Sequence, residues 1–235
     1  MYKENCDYDI VIKNGRVIDP ADQIDSVANV GIANNTVVEI TNASLEGRSG
    51  IDAKGLVVAP GFIDMHSHGQ DDENYKIQAL DGVTTALELE VGTANINTWY
   101  DARAGKSVIN YGASIGHIPI RMQIMNDRGG LIPTGDAARR EATDHEISIM
   151  KDKLEHGLNE GALAVGLGVM YTPNASRLEI LEVFRMAGKF NAACHIHLRG
   201  NGGLASIDGI EEAIRAATIS GAPLHVVHVQ STGSI

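Results

Sequence analysis

Residues 59–69 read APGFIDMHSHG: a proline–glycine corner, a short apolar run and two histidines one residue apart. Side chains on a strand alternate between faces, so His66 and His68 share a face, about 7 Å apart along the chain. Two imidazoles so placed either converge on one metal ion or stand as a structural pair. The rest of the chain decides between them.

Downstream of residue 56 the pattern becomes strand, helix, strand, helix. Apolar runs at 56–64, 83–91, 112–118, 162–168, 191–197 and 223–229 read as strands. Thr143 with Glu146 and Ser176 with Glu179 have capping-box spacing and mark two helix starts. After the first, Ile147, Met150, Leu154 and Leu158 form one stripe that Gly161 is placed to end. In 206–220 a second stripe runs through Ile207, Ile210, Ile214 and Ala217. Such alternation implies a parallel sheet with right-handed crossovers. No glycine-rich phosphate loop follows the first strand, which leaves a dinucleotide-binding sheet unsupported. In a (β/α)8 barrel, chemistry collects at the C-terminal strand ends. His66, His68, Glu88, Glu90, His117, His195, His197, His225 and His228 all fall at or near such ends, while His145 and His156 fall on a helix surface. The expected fold is therefore α/β, an incomplete TIM-type barrel with about six of its eight strands over 56–235. Completion by a missing C-terminal segment or by another chain is expected.

Upstream, residues 1–55 read as short strands, the N-terminal part of a β-sandwich. Asn14-Gly15 and Asn34-Asn35 each interrupt apolar runs in the manner of a hairpin turn. This module has too little core to stand alone.

At 235 residues the chain has room for one substantial core and a small appendage, and its 43% apolar and 21% charged residues are ordinary for a globular protein. The formal charge of −11 speaks against nucleic acid and anionic membrane as partners. Cys6 and Cys194 are far apart and in no metal-finger spacing, consistent with a reducing compartment. With no apolar leader and no run of membrane-spanning length, the expected address is cytoplasmic.

The segment VVAPGFIDMHSH, residues 57–68, resembles the first-strand signature of the metal-dependent amidohydrolase superfamily. DIVIKNGRVIDP and ANVGIANNTVVEI resemble its N-terminal sandwich strands. Within that superfamily the chain is most similar to the N-acyl-D-amino-acid deacylases, the D-aminoacylase group. The likeness runs through DGVTTALELEVG, SIGHIPIR, GALAVGLGVMYTP, CHIHLR and HVVHVQ, and covers residues 8–235. The resemblance implies metal ligation by His66, His68, His197 and His228, with His195 and His225 either behind them or purely structural. Zn²⁺ or another divalent metal, as one ion or two, is the implied cofactor, and a small-molecule amide the implied substrate.

Three departures bear on the site. The deacylases place a cysteine ligand late in the second strand, where this chain has Val91. It offers Glu88 and Glu90 instead, and Glu90, nearer the strand end, is the preferred ligand. No lysine lies in 162–170, so a carbamylated bridging lysine is not expected. Gln230 stands where the D-aminoacylases have a lysine that meets the substrate carboxylate, leaving Arg121, Tyr171 or Arg199 to bind an anionic group. His117 is a candidate to hydrogen-bond the substrate carbonyl. The general base implied by the resemblance, an aspartate on the eighth strand, is not in this chain, and Asp64 reads as a strand-end hydrogen-bonding residue. Buried Cys194 reads as packing.

These residues point to hydrolysis of amide-type carbon–nitrogen bonds other than peptide bonds, by metal-activated water attacking an acyl carbon. Deamination or ring opening of a heterocycle is the rival within the superfamily. A non-enzymatic rival is an inactive fragment, or a subunit that needs another chain or a second copy of itself.

Overall fold

A computed structural model describes residues 7–200 and 203–229, in two compact units that part between Gly61 and Phe62. Cys6 and Gln230 lie outside the described residues. None of the described helices is long and apolar enough to cross a membrane.

The first unit holds one sheet. Its strands are β1 (Tyr8–Asp19), β2 (Ile24–Ala33), β3 (Thr36–Thr41), β4 (Gly47–Asp52) and β5 (Val57–Val58). They run in the order β3-β2-β1-β4, and β5 pairs with β1. Val17, Ala28 and Val30 form its buried cluster. Asn34 and Asn35, at φ 50° and 60°, make the expected two-residue hairpin between Ala33 and Thr36. Asn14-Gly15 does not. Both flanks pair with β2, so β1 runs straight through and the register slips between Ile12 and Gly15. The pair forms a bulge. Asn14, at φ 63°, donates its backbone N–H to Asn29 Oδ1, and Gly15 lies so close to Val58 that a Cβ would be 2.5 Å away.

The second unit is the incomplete barrel. Its elements are β6 (Phe62–Asp64), α1 (Asp72–Leu80), β7 (Val83–Thr93), α2 (Ile96–Asp101), β8 (Asn110–Gly116), α3 (His117–Ile124) and α4 (Asp136–Arg139). There follow α5 (Asp144–Asn159), β9 (Val165–Gly168), α6 (Arg177–Lys189), β10 (Cys194–His197), α7 (Gly203–Ser220) and β11 (Leu224–Val226). The six strands lie side by side in chain order, all parallel. The run expected as one strand at 56–64 divides: Val57–Val58 belongs to the first sheet and Phe62–Asp64 to the barrel, so the units meet after Gly61 and not after residue 55.

Alternation along β9 and β10 decides what faces the barrel interior. Val165, Leu167, Cys194 and Ile196 enter the core shared with Met150, Leu154, Ile180, Val183 and Phe184 of the helix layer. Gly166, Gly168, His195 and His197 therefore face the other way. On α5 Ile147, Met150 and Leu154 of the expected stripe are buried and Leu158 is partly so, and Gly161, at φ 97°, follows the helix end. On α7 the stripe is rotated: Ile207 and Ile214 are exposed, whereas Ala213 and Ala216, with Ile210 and Ala217, meet the core.

Candidate metal centre

His66 and His68 lie beyond the end of β6, in a turn and not on the strand itself. Asp64 Oδ1 accepts the His66 N–H at 3.0 Å, the strand-end role expected of it. Their ring centroids are 4.7 Å apart. Next comes β7, whose register against β8 jumps from Glu88–Ala113 to Thr93–Ile115, five residues against two. This bulge frees backbone donors, and Glu88 Oε1 accepts two of them, Val91 N–H at 3.1 Å and Gly92 N–H at 3.3 Å. Gly92, at φ 67°, is required here, because a Cβ would lie 2.5 Å from Ser114 O.

The other Glu88 oxygen, Oε2, sits 2.6 Å from His68 Nδ1. Glu88, the expected alternative to Glu90 as a ligand, is thus occupied behind His68, fixing that ring's orientation. Glu90 is the carboxylate at the centre. Its Oε2 is 3.2 Å from His66 Nε2, 3.8 Å from His68 Nε2 and 3.5 Å from His228 Nε2. Its Oε1 is 3.0 Å from His197 Nδ1. The donor atoms of His66, His68 and Glu90, and those of Glu90, His197 and His228, all lie within 4.8 Å of one another in each set. His197 ends β10, and His228 follows β11 at φ 35°.

The electrostatics suit a cation. Burial pushes the Glu90 carboxyl up, but the imidazoles of His197, His66 and His228 outweigh it and hold the group below the usual carboxylate range. Burial lowers His66 despite Glu90, which favours the neutral, metal-binding imidazole. The Glu88 hydrogen bond raises His68. His197 Nε2 is buried with no hydrogen-bond partner, so that nitrogen is left without a proton acceptor or donor in the protein. An imidazole-and-carboxylate donor set of this composition fits zinc or a similar divalent ion.

The remaining candidate residues are placed differently. His117 and Arg121 are fully enclosed. His117 Nε2 lies 2.7 Å from Glu179 Oε1, and Arg121 also binds that carboxylate, along with Ala137 O and Arg140 O. Arg121 is thus engaged at every nitrogen, whereas His117 Nδ1 has no hydrogen-bond partner in its enclosed position. Glu179 is half of the capping box expected at Ser176: Ser176 Oγ accepts its N–H at 3.1 Å, but its carboxylate turns inward to this pair. Sequence reading passed over Glu179 as a buried anion because its spacing read as a cap. Arg199 is held by Glu212 at 2.8 and 2.7 Å and by Pro173 O. Tyr171 stands at the site, its ring 5.0 Å from that of His197. His195 lies outside the cluster and faces His225 at 4.6 Å. Burial pushes the Cys194 thiol up, in keeping with a packing role.

Residues 49–120 match the Amidohydrolase family. A D-aminoacylase of Alcaligenes xylosoxydans xylosoxydans is 27% identical over 262 residues, covering 96% of this chain and 51% of the relative. A dihydroorotase of Geobacter metallireducens is 27% identical over 250 residues, covering 96% and 56%. A solved D-aminoacylase in complex with copper chloride superimposes with a TM-score of 0.79 at 26% identity, covering 93% of this chain and 51% of that one. The chain thus spans about half the length of the curated relatives it matches. In sequence and in fold it is similar to metal-dependent amidohydrolases, D-aminoacylases among them.

Proposed function

We propose that the protein is a metal-dependent hydrolase of non-peptide amide carbon–nitrogen bonds, of the kind its D-aminoacylase relatives represent. The observation that carries this reading is the meeting of His66, His68, His197 and His228, from the ends of three strands, on Glu90 of a fourth. Glu90, His66, His68, His197 and His228 would hold the ion. Zinc bound there would bring the pKa of water near 7 and polarise an acyl oxygen. Glu88 keeps His68 Nδ1 engaged and so leaves Nε2 directed at the centre. Tyr171, whose phenol is held protonated by burial and by the Glu90 charge, offers an O–H to a substrate oxygen or carboxylate at the site's edge.

A second reading, ring opening of a cyclic amide, is favoured by the dihydroorotase relatives that align over 96% of the chain. Release of free amine from N-acyl-D-amino acids supports the first reading, and hydrolysis of a dihydropyrimidine ring supports the second. The metal reading common to both is tested by elemental analysis after gel filtration. The wild type is expected to retain zinc or manganese, and His66→Ala and His228→Ala to lose it. Equal metal content in all three proteins would sink the proposal.

A further inference from the structure

The turn that carries His66 and His68 has almost no ladder of its own, because β6 is three residues long. It is gripped from behind instead. Ser67, 4% exposed, donates its backbone N–H to Leu87 O at 3.0 Å, and its Oγ accepts from Gln78 Nε2 at 2.9 Å. Gln78 also reaches Gly69 O at 3.2 Å. Gln70, 8% exposed, donates Nε2 to Ser67 O at 3.0 Å, while its Oε1 accepts the Tyr75 hydroxyl at 2.8 Å. The Gln70 carbonyl accepts Arg103 Nε at 3.0 Å.

Each outer member is itself immobilised. The Arg103 guanidinium lies 3.9 Å over the Trp99 ring and donates Nη1 to Trp99 O at 2.9 Å. Tyr75 is wholly buried, stacked on Tyr111 with centroids 5.8 Å apart. A neutral amide suits position 70: it supplies both a donor and an acceptor and adds no charge beside the cluster. Ordering a free turn costs roughly 1–2 kcal/mol per residue in backbone entropy. A turn already fixed in the folded protein carries no such cost when a cation binds.

We propose that Arg103, Tyr75 and Gln70 are positioning residues that hold the His66–Ser67–His68 turn in its ligating shape and thereby set cation affinity. This rests on the metal reading above. The conservative variants Tyr75→Phe and Arg103→Met each remove one bond to Gln70. Their affinity for Co²⁺ is measured by competition with a chromophoric chelator and by the visible cobalt spectrum. Amide exchange of residues 65–70 and thermal melts are read in parallel.

The expected result is an affinity weakened about 10-fold or more, an altered cobalt spectrum and faster exchange at 65–70. Arg103→Lys, which can still donate to Gln70 O, recovers part of the affinity. Wild-type affinity and spectrum in both variants overturn the proposal and leave the metal reading standing. Faster exchange at unchanged affinity overturns it too, because the grip then serves the fold alone. A wild type that takes up no Co²⁺, matched by His66→Ala, overturns both.

Discussion

A single carboxylate, Glu90, draws imidazoles from the ends of three other strands. A second, Glu179, shows the opposite use of a buried anion. It is held below the usual range because His117 and Arg121 outweigh the burial that would raise it. Removing one partner of such a pair leaves an uncompensated charge in the core. Arg121→Met is accordingly expected to destabilise the protein by roughly 3–5 kcal/mol in urea unfolding while leaving metal content unchanged. A loss below about 1 kcal/mol would reverse the assignment and return Arg121 to a substrate role. Residue chemistry alone did not separate these cases. His117 and Arg121 sit in the segment SIGHIPIR and read as candidates for substrate contact, and what they bind is Glu179, 58 positions beyond Arg121.

Helix α5 shows an element fully legible in sequence. Thr143 Oγ1 accepts the Glu146 N–H, and Glu146 Oε2 accepts the Thr143 N–H at 2.8 Å, as the spacing predicts. Arg140, at 2.6 and 2.9 Å, then holds Glu146 at a pKa of about 2, against an ordinary value of 4.5. Because the folded pKa is the lower one, the unfolded chain binds more protons between these values. The stabilisation is fully present above pH 4.5 and is lost as pH falls toward 2. Glu146→Gln should therefore cost about 1 kcal/mol near neutrality. The gap between wild-type and variant melting temperatures should close on acidification from pH 6 to pH 2.5, and a gap constant with pH would contradict the reading. Strand β1 is the counter-example. Asn14-Gly15 has hairpin chemistry, but a turn type is realised only where the two flanks can pair with each other, and here β2 spans both.

At the scale of the molecule, the proposed ligand residues are spread from position 66 to position 228, so an ion bound among them would tie the first strand of the barrel sheet to its last. An ion at about 100 times its dissociation constant should stabilise the folded unit by about 2.7 kcal/mol. For a unit of this size that is roughly 5–10 °C in melting temperature. Calorimetry with zinc and then with excess chelator is expected to show that shift in the wild type and none in His66→Ala. An unchanged wild-type melt would mean that the ion does not bridge the sheet.

From the order of its residues alone, this chain discloses a parallel α/β barrel segment, the histidines at its strand ends, the α5 cap and the Asn34-Asn35 turn. Each follows from local rules of period, spacing and turn chemistry. What Glu88 does beside Glu90, which arginines are already occupied, and where strand 56–64 breaks were decided only by tertiary structure. Those outcomes depend on the β7 bulge and on partners tens of residues away, which local patterns do not encode.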